Sequence, residues 1–253
     1  MKTVTVRNTV IGEGLPKICV PIVGKNKEEL LSEVAVLKQV DVDVVEWRMD
    51  WFEDIMNFTK ACEMLQILRD ALGEMPILAT FRTKQEGGEK AIAKADYVAL
   101  YKAIVATQQA DLIDVELFTG ENEVKAILED AHAHHVAVVM SNHDFAKTPS
   151  YDEILTRLKA MQSLGADIPK IAVMPQNKAD VLTLLSATNT MYEEFADRPI
   201  ITMSMAGTGA ISRVCGEVFG SALTFSAAKK ASAPGQVAVA DLKTMLELLH
   251  KSL

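Results

Sequence analysis

A lysine placed inside an apolar segment is the feature of this sequence that most directly suggests chemistry. Lys170 lies within residues 168–174, where every other side chain is apolar. Burial disfavours the charged form of an amine and lowers its pKa, and a neutral amine can attack a carbonyl carbon. The segment alone leaves two interpretations open: Lys170 forms a covalent bond to a carbonyl substrate, or its ammonium reaches solvent or pairs with a carboxylate.

A histidine that follows another apolar segment could carry a proton. His143 comes directly after residues 136–142, one predicted strand before Lys170. Imidazole titrates near neutrality and can accept and return a proton within one turnover. The remaining histidines lie in predicted helical or terminal segments without the spacing of a zinc site, so we interpret them as surface residues: His132, His134, His135 and His250.

Polar side chains also end three further apolar segments. Because side chains alternate along a strand, Glu46 and Arg48 share one face, and so do Asp114 and Glu116. Each could instead be a solvated loop residue or part of a salt bridge at the rim of the sheet. Arg48 and Arg82 together indicate a pocket for an anionic ligand, because guanidinium groups bind carboxylates through paired hydrogen bonds.

Eight short apolar segments alternate with segments of helical periodicity, which predicts a parallel sheet covered by helices. Eight such units predict a (β/α)8 TIM barrel, in which the carboxyl ends of the strands form the active site. We expect one domain over residues 1–253, with a β-hairpin at 1–16 closing the barrel base and the barrel at 17–253. The predicted strands are 18–23, 42–47, 77–81, 112–117, 136–140, 171–174, 200–203 and 222–225. The predicted helices are 27–37, 58–72, 89–109, 121–134, 150–164, 178–195 and 242–249.

Composition excludes several classes of partner. A net charge of −8 without any basic run argues against nucleic acid, which is bound largely through clustered lysine and arginine. The first residues lack the apolar core of a secretory signal, and no apolar run approaches the length of a membrane span. We therefore expect a cytoplasmic protein without membrane contact, in which Cys19, Cys62 and Cys215 are reduced thiols rather than disulfide or metal ligands.

Two glycine-containing stretches follow predicted strands. The first, 86–89 (Glu-Gly-Gly-Glu), is either a turn that opens the next helix or a device that directs Glu86 towards the histidine. The second, 232–236 (Ser-Ala-Pro-Gly-Gln), has the composition of a loop that covers the barrel mouth.

These segments, in this order, resemble the type I 3-dehydroquinate dehydratase family over essentially the whole chain. The resemblance rests on Glu46-Trp47-Arg48, Phe81-Arg82, 86–89, 114–118, Ser141-Asn142-His143-Asp144-Phe145, 169–175, 201–205, Ile211-Ser212-Arg213 and 232–236. It implies a cofactor-free and metal-free lyase of the shikimate pathway, which serves aromatic amino acid biosynthesis. It also implies a homodimer and a small-molecule substrate, 3-dehydroquinate.

The resemblance further implies the roles of individual residues. Lys170 would form a Schiff base with the ring ketone, His143 would move the proton in a syn elimination that yields 3-dehydroshikimate, and Glu86 would orient His143. Arg213 would bind the substrate carboxylate. The remaining substrate-binding residues implied by the family are Glu46, Arg48, Arg82, Ser232 and Gln236.

Two departures and two rival functions accompany this interpretation. Ser226 stands where the family pattern has glycine, and residues 206–209 are richer in glycine than is usual. One rival is another Schiff-base barrel, such as a carbon–carbon lyase of the class I aldolase type. The other is a catalytically idle barrel that senses a carboxylate metabolite, although a pure binder would need neither Lys170 nor His143.

Overall fold

Ten strands form a two-stranded hairpin and a parallel barrel in this computed structural model, which describes residues 2–227 and 237–253. The antiparallel hairpin consists of β1 (Val4–Val6) and β2 (Thr9–Ile11). The barrel strands are β3 (Lys17–Ile22), β4 (Val44–Arg48), β5 (Ile77–Thr80), β6 (Leu112–Glu116), β7 (Ala137–Asp144), β8 (Ile168–Val173), β9 (Ile201–Ser204) and β10 (Leu223–Phe225). They pair in the order β10-β3-β4-β5-β6-β7-β8-β9, and a bridge between Ile200 and Ser221 connects the two ends. The predicted (β/α)8 barrel is therefore confirmed.

Helices follow the strands and cover the outside of the barrel. They are α1 (Lys27–Leu37), α2 (Phe58–Leu72), α3 (Lys94–Ala106), α4 (Glu121–Ala133), α5 (Tyr151–Leu164), α6 (Lys178–Thr190), α7 (Ile211–Val214), α8 (Gly216–Phe219) and α9 (Val239–His250). Four of them begin after a side chain that accepts a hydrogen bond from the first turn, which satisfies an otherwise unpaired backbone N–H. These capping residues are Asn26, Asn57, Ser150 and Asn177. Within the described ranges, no helix has the length and apolar character needed to cross a membrane.

Alternation along the strands divides the core into two layers. Outward side chains such as Val45, Ile113 and Ile171 are fully buried beneath the helices. Inward side chains fill the barrel: an apolar layer that includes Val44 and Leu112 occupies its lower part, and polar residues lie above it. The polar residues of the strands are therefore gathered at the carboxyl ends, as the barrel architecture predicts.

The N-terminal hairpin closes the lower end of the barrel. Val6 and Ile11 are buried in the same cluster as Leu78 and Leu112, which face inward early in β5 and β6. The hairpin predicted for residues 1–16 is present, and its apolar face seals the barrel base.

Several predicted boundaries are wrong. The helix expected from Glu89 begins at Lys94, so residues 86–89 form a turn that does not open the helix. The strand expected to end at Met140 continues to Asp144, which places His143 within β7. The short helices α7 and α8 were not predicted, because four residues are too few for helical periodicity to show.

An ion-pair network joins the hairpin to the barrel. Asp111, just before β6, accepts hydrogen bonds from Arg7 Nε at 2.6 Å, from Arg69 Nη2 at 2.5 Å and from the Ile77 amide at 2.8 Å. Arg7 also contacts Glu74, whose side chain is 76% exposed.

We expect Asp111→Ala to lower the free energy of unfolding by about 1–3 kcal/mol, because it leaves the mostly buried Arg69 guanidinium without its carboxylate partner. Urea denaturation measures this. Glu74→Ala is the control, and it should cost less than about 1 kcal/mol because its ion pair is exposed. Equal losses in the two variants would contradict the assignment of Asp111 as the anchor of the hairpin.

Candidate active site

Lys170 lies in the middle of β8 and points into the barrel. Its register partners are Ser141 on β7 and Ile201 on β9. The residue is only 2% exposed, so the interpretation in which it reaches solvent is wrong. Its Nζ donates to Asp114 Oδ2 at 2.8 Å and lies 4.5 Å from the centroid of the Phe225 ring. The structure thus has the ion pair that was one of the alternatives, and this pair leaves the amine at the wall of a cavity.

Asp114 is fully buried and is shared by two cations. Its Oδ1 accepts from Arg82 Nη2 at 2.8 Å and from the Ser141 hydroxyl, while its Oδ2 faces Lys170. Burial alone would raise the pKa of Asp114, but Arg82 and Lys170 outweigh burial and hold this pKa well below its ordinary value. Asp114 is therefore an anion in the resting protein.

Arg82 connects Asp114 to a second carboxylate. Its Nη1 donates to Glu116 Oε1 and to Ser141 Oγ, both at 2.9 Å. Burial acts to lower the pKa of the guanidinium, but the neighbouring carboxylates of Asp114, Glu116 and Glu86 raise it well above the ordinary value. The charge of Arg82 is thus compensated within the protein.

Arg48 ends β4, and Glu46, two residues earlier in the strand, lies on the same inward face. Arg48 donates from Nε and Nη2 to the two carboxylate oxygens of Asp50, each at 2.9 Å. Glu46 Oε1 accepts from Thr80 Oγ1 at 3.0 Å. The suggestion that the rim charges form salt bridges is correct for Arg48, and its pairing fixes the direction of its guanidinium group.

His143 is held by Glu86 through its ring and its backbone. Glu86 Oε2 lies 3.0 Å from His143 Nδ1 and accepts from the His143 amide at 2.8 Å, while Oε1 accepts from Asn142 Nδ2 at 3.2 Å. Burial, aided by Arg82 and Lys170, lowers the pKa of His143 well below 6.5. A neutral ring that donates from Nδ1 keeps Nε2 as its basic nitrogen.

The Glu86 carboxyl titrates near neutrality. Burial raises its pKa to about 7; Arg82, 3.6 Å away, lowers it, and Glu116 raises it further. Such a value lets the pair of Glu86 and His143 change protonation within the physiological range.

A glycine turn positions Glu86. The residue ends a 3₁₀ turn, Lys84–Glu86, and Gly87 follows with φ +84°, in the left-handed region that favours glycine. A Cβ at Gly87 would lie 2.3 Å from the Phe145 ring. The second interpretation of residues 86–89, in which they direct Glu86 towards the histidine, agrees with this geometry.

Arg213, on α7, completes the wall of the cavity. It is 2% exposed, and its Nη1 donates to the Phe225 carbonyl at 3.2 Å. Burial lowers the pKa of Arg213 to about 10, which leaves it a cation at neutral pH. The cavity and its open mouth together contain about 520 Å³ of space free of protein atoms. Its walls are formed by Glu46, Arg48, Arg82, Glu86, Gly87, His143, Phe145, Lys170, Ala172, Met203, Met205, Arg213 and Phe225.

Seven of the nine predicted site residues therefore border one cavity, and two lie outside the described residues. The latter are Ser232 and Gln236, together with the loop expected to cover the mouth.

Ser226, the first departure from the family pattern, is buried, and its hydroxyl donates to the Val237 carbonyl at 2.6 Å. In the second departure, a Cβ at Gly209 would lie 2.3 Å from the Ser204 carbonyl oxygen, so the turn requires glycine there.

The apolar side of the cavity was not anticipated. Met203, Met205 and Phe225 line it, with Phe225 next to Lys170 and Arg213. Strand alternation from Ile201 would have placed both methionines on the inward face. Asp50, the partner of Arg48, was not predicted from the sequence. In the part of the chain that the structure describes, no group of three or more histidine, cysteine or carboxylate side chains is arranged to hold a metal ion.

Known proteins resemble this chain over its full length. The type I 3-dehydroquinase family model matches residues 18–253. The chain belongs to the type I 3-dehydroquinase family. A 3-dehydroquinate dehydratase from Bacillus licheniformis is 56% identical, covering 100% of this chain and 99% of the relative, and one from Salmonella paratyphi B is also 56% identical, with complete coverage of both.

Solved structures of this family superpose closely. The type I 3-dehydroquinate dehydratase from Clostridium difficile, solved with covalent modified comenic acid, has a TM-score of 0.97 and 55% identity, with complete coverage of both chains. The 3-dehydroquinate dehydratase from Geobacillus kaustophilus has a TM-score of 0.96 and 38% identity, covering 99% of this chain and 97% of its own. The family resemblance recognised in the sequence is thus confirmed.

We expect the His143 ring to stay neutral at pH 6.5, because its buried site between Arg82 and Lys170 opposes a further positive charge. Above about pH 7, where Glu86 is a carboxylate that accepts the ring N–H, we expect the ring to carry its proton on Nδ1. Nitrogen-15 NMR of histidine-labelled protein measures the tautomer and the titration. The same chain in urea, where histidine titrates near about 6.5, is the control. Since the unfolded chain binds this proton more tightly, the contribution of His143 to stability is complete above pH 6.5 and declines as pH falls towards its folded pKa. A midpoint at or above 6.5 in the folded protein would contradict this assignment.

Proposed function

We propose that this protein is a 3-dehydroquinate dehydratase that eliminates water from 3-dehydroquinate, with syn stereochemistry, through a Schiff base at Lys170. The observation that carries the proposal is that Lys170 and His143, on neighbouring strands, line the same cavity. Family membership supports the reaction, and the inward-facing buried amine supports its covalent form.

The proposed sequence begins with addition of the Lys170 nitrogen to the ring ketone, as the proton that the ammonium gives up passes to the ketone oxygen. Loss of water from the adduct gives a protonated imine, which withdraws electrons and acidifies the neighbouring carbon. His143 Nε2 takes the proton from that carbon, and the resulting imidazolium protonates the departing hydroxyl on the same face. Hydrolysis of the imine then releases 3-dehydroshikimate and restores the amine.

Glu86 would tune the proton carrier. As a carboxylate it accepts the Nδ1–H of His143, fixes the tautomer in which Nε2 is basic, and stabilises the imidazolium formed during turnover. Protonation of Glu86 would remove this acceptor. The activity of the site therefore depends on a carboxyl whose pKa is about 7.

Substrate binding is assigned to the remaining groups of the cavity. Arg213 is proposed to bind the carboxylate of the substrate, since its buried guanidinium lines the cavity on the side of Met203 and Phe225. The other proposed contacts to the hydroxyl and carboxylate groups come from Glu46, Arg48, Arg82, Ser232 and Gln236. Arg48 and Arg82 are oriented for this by their pairs with buried carboxylates.

The two rival functions receive less support. A carbon–carbon lyase would use the lysine, but family membership favours the dehydratase. A sensor would need neither the amine nor the histidine with its carboxylate partner. We further propose that the protein acts without a cofactor, as a cytoplasmic homodimer, in the shikimate pathway.

We expect 3-dehydroquinate to be converted to a conjugated enone that absorbs in the ultraviolet, and sodium borohydride added during turnover to attach the ligand to the peptide carrying Lys170. Lys170→Ala should lower turnover by more than about 1,000-fold and abolish the adduct, because Lys170 is the lysine that lines the cavity among the residues that the structure describes. Absorbance and peptide mass spectrometry measure the two effects.

His143→Ala is the matched variant for this experiment. It retains the amine, so it should still form the adduct, while turnover falls by about 100- to 10,000-fold. Turnover by the parent protein without any borohydride adduct would exclude the imine mechanism.

We expect kcat/KM to fall as pH decreases below about 7, because Glu86 then becomes protonated and no longer accepts the His143 Nδ1–H. In Glu86→Gln this acidic limb should move to lower pH, since His143 alone, with a pKa well below 6.5, then sets it. Steady-state rates from pH 5 to 9 measure the shift. An acidic limb at the same pH in both proteins would assign it to another group.

A further inference from the structure

We infer that Asp114 remains ionised opposite Lys170 Nζ throughout the cycle, as the counter-ion first of the ammonium and then of the protonated imine. The inference rests on the proposed imine chemistry and assigns to Asp114 a part in it that is separate from proton transfer. The observation behind it is the 2.8 Å contact between Lys170 Nζ and Asp114 Oδ2 inside the barrel.

The carboxylate of Asp114 is fixed in place. Asp114 is central in β6 and fully buried. Its Oδ1 is held by Arg82 and Ser141, and its backbone carbonyl accepts from the Tyr101 hydroxyl. Rotation of the carboxylate away from Nζ would break the bonds at Oδ1, so Oδ2 stays directed at the nitrogen.

The other charged groups near Lys170 have partners of their own, so Asp114 is the counter-ion of Nζ. Glu46 on β4 bonds to Thr80, Arg82 follows β5, and His143 on β7 bonds to Glu86. Burial and the carboxylates of Glu46 and Asp114 raise the pKa of the Cys19 thiol on β3 well above its ordinary value, and the opposing effect of Lys170 does not offset them.

The apolar strands add no competing anion. β9 and β10 present Met203 and Phe225 to this part of the cavity, and the Phe225 ring can face a cation but cannot accept its proton. Among the described residues, Asp114 is therefore the carboxylate that bonds Nζ.

The chemistry of imine formation preserves the charge that Asp114 faces. An ammonium and a ketone give a protonated imine and water: the nitrogen loses two hydrogens, which leave with the carbonyl oxygen, and it keeps one. The nitrogen carries one positive charge before and after this step. The remaining N–H of the imine can donate to the same Oδ2, and the carboxylate favours the protonated imine, which is the form that withdraws electrons.

The low pKa of Asp114 means that it acts as a counter-ion and not as a general base. Arg82 and Lys170 keep the pKa of Asp114 well below its ordinary value, so it does not take up a proton when the amine attacks. Removal of its charge should therefore leave imine formation intact and impair the later elimination at alkaline pH.

The test replaces the charge while it keeps the shape of the side chain. We expect Asp114→Asn to form the borohydride adduct at neutral pH and to shift the alkaline limb of kcat to lower pH by about 1–3 units, because an opposite charge at this distance raises the pKa of a cation by that amount. Ser141→Ala is the matched control: it removes a hydrogen bond to Asp114 Oδ1 but keeps the carboxylate, so the alkaline limb should not move.

The outcomes distinguish this inference from the proposed function. Absence of the adduct in the parent protein would overturn the imine mechanism itself. An adduct in the parent together with an unshifted alkaline limb in Asp114→Asn would overturn the counter-ion inference alone.

A measurement on the parent protein covers the case in which Asp114→Asn does not fold. The C=N stretching frequency of the imine formed with the product ketone shifts in D₂O only when the nitrogen is protonated. We expect this shift to persist at least about one pH unit above the point at which the same ketone's imine with butylamine loses its proton. Loss of the shift at the same pH as in butylamine would overturn the inference.

Discussion

Charge compensation inside the barrel is the constraint that organises this protein. Arg82, Asp114, Glu116 and Lys170 are each at most 4% exposed, and each lies within hydrogen-bond distance of at least one of the others with the opposite charge. An isolated ion in such a place would cost several kcal/mol, whereas a paired and hydrogen-bonded one can remain ionised. The strands must therefore close in one register, because a shift by one residue would turn these groups towards the apolar layer under the helices.

The same compensation explains why neighbouring groups behave differently. Asp114, with two cations beside it, is held as an anion, whereas Glu86, which lies farther from Arg82 and near Glu116, has a pKa of about 7. His143 stays neutral because Arg82 and Lys170 add to the effect of burial. One cluster thus supplies a permanent anion, a carboxyl that titrates near neutrality and a neutral base.

Periodicity and segment order were sufficient to predict the barrel and the hairpin, and the family resemblance supplied Arg213 and the expected roles of the site residues. Lys170 and His143 stood out because a charged or titrating residue in an apolar strand is costly. The partners of these residues could not be predicted in the same way: whether Lys170 faces Asp114 or Glu46 depends on strand register and closure, which no local pattern encodes. The conformation around Glu86 could not be predicted either, because glycines at 87 and 88 fit both a helix start and the observed left-handed turn. The contact of Gly87 with Phe145 joins segments far apart in the chain, and no local pattern indicates it.

The hairpin at the barrel base restricts the path by which small molecules enter and leave the cavity. Among the described residues, Val6 and Ile11 pack beneath the inward side chains, so the cavity is closed at its lower end and opens towards the carboxyl ends of the strands. Any water set free beneath a bound ring must either pass that ring on its way out or wait below it. In the proposed reaction a water molecule retained below the ring could hydrolyse the imine. The N-terminal hairpin, although far from Lys170 in the chain, would then influence the order in which water and 3-dehydroshikimate leave.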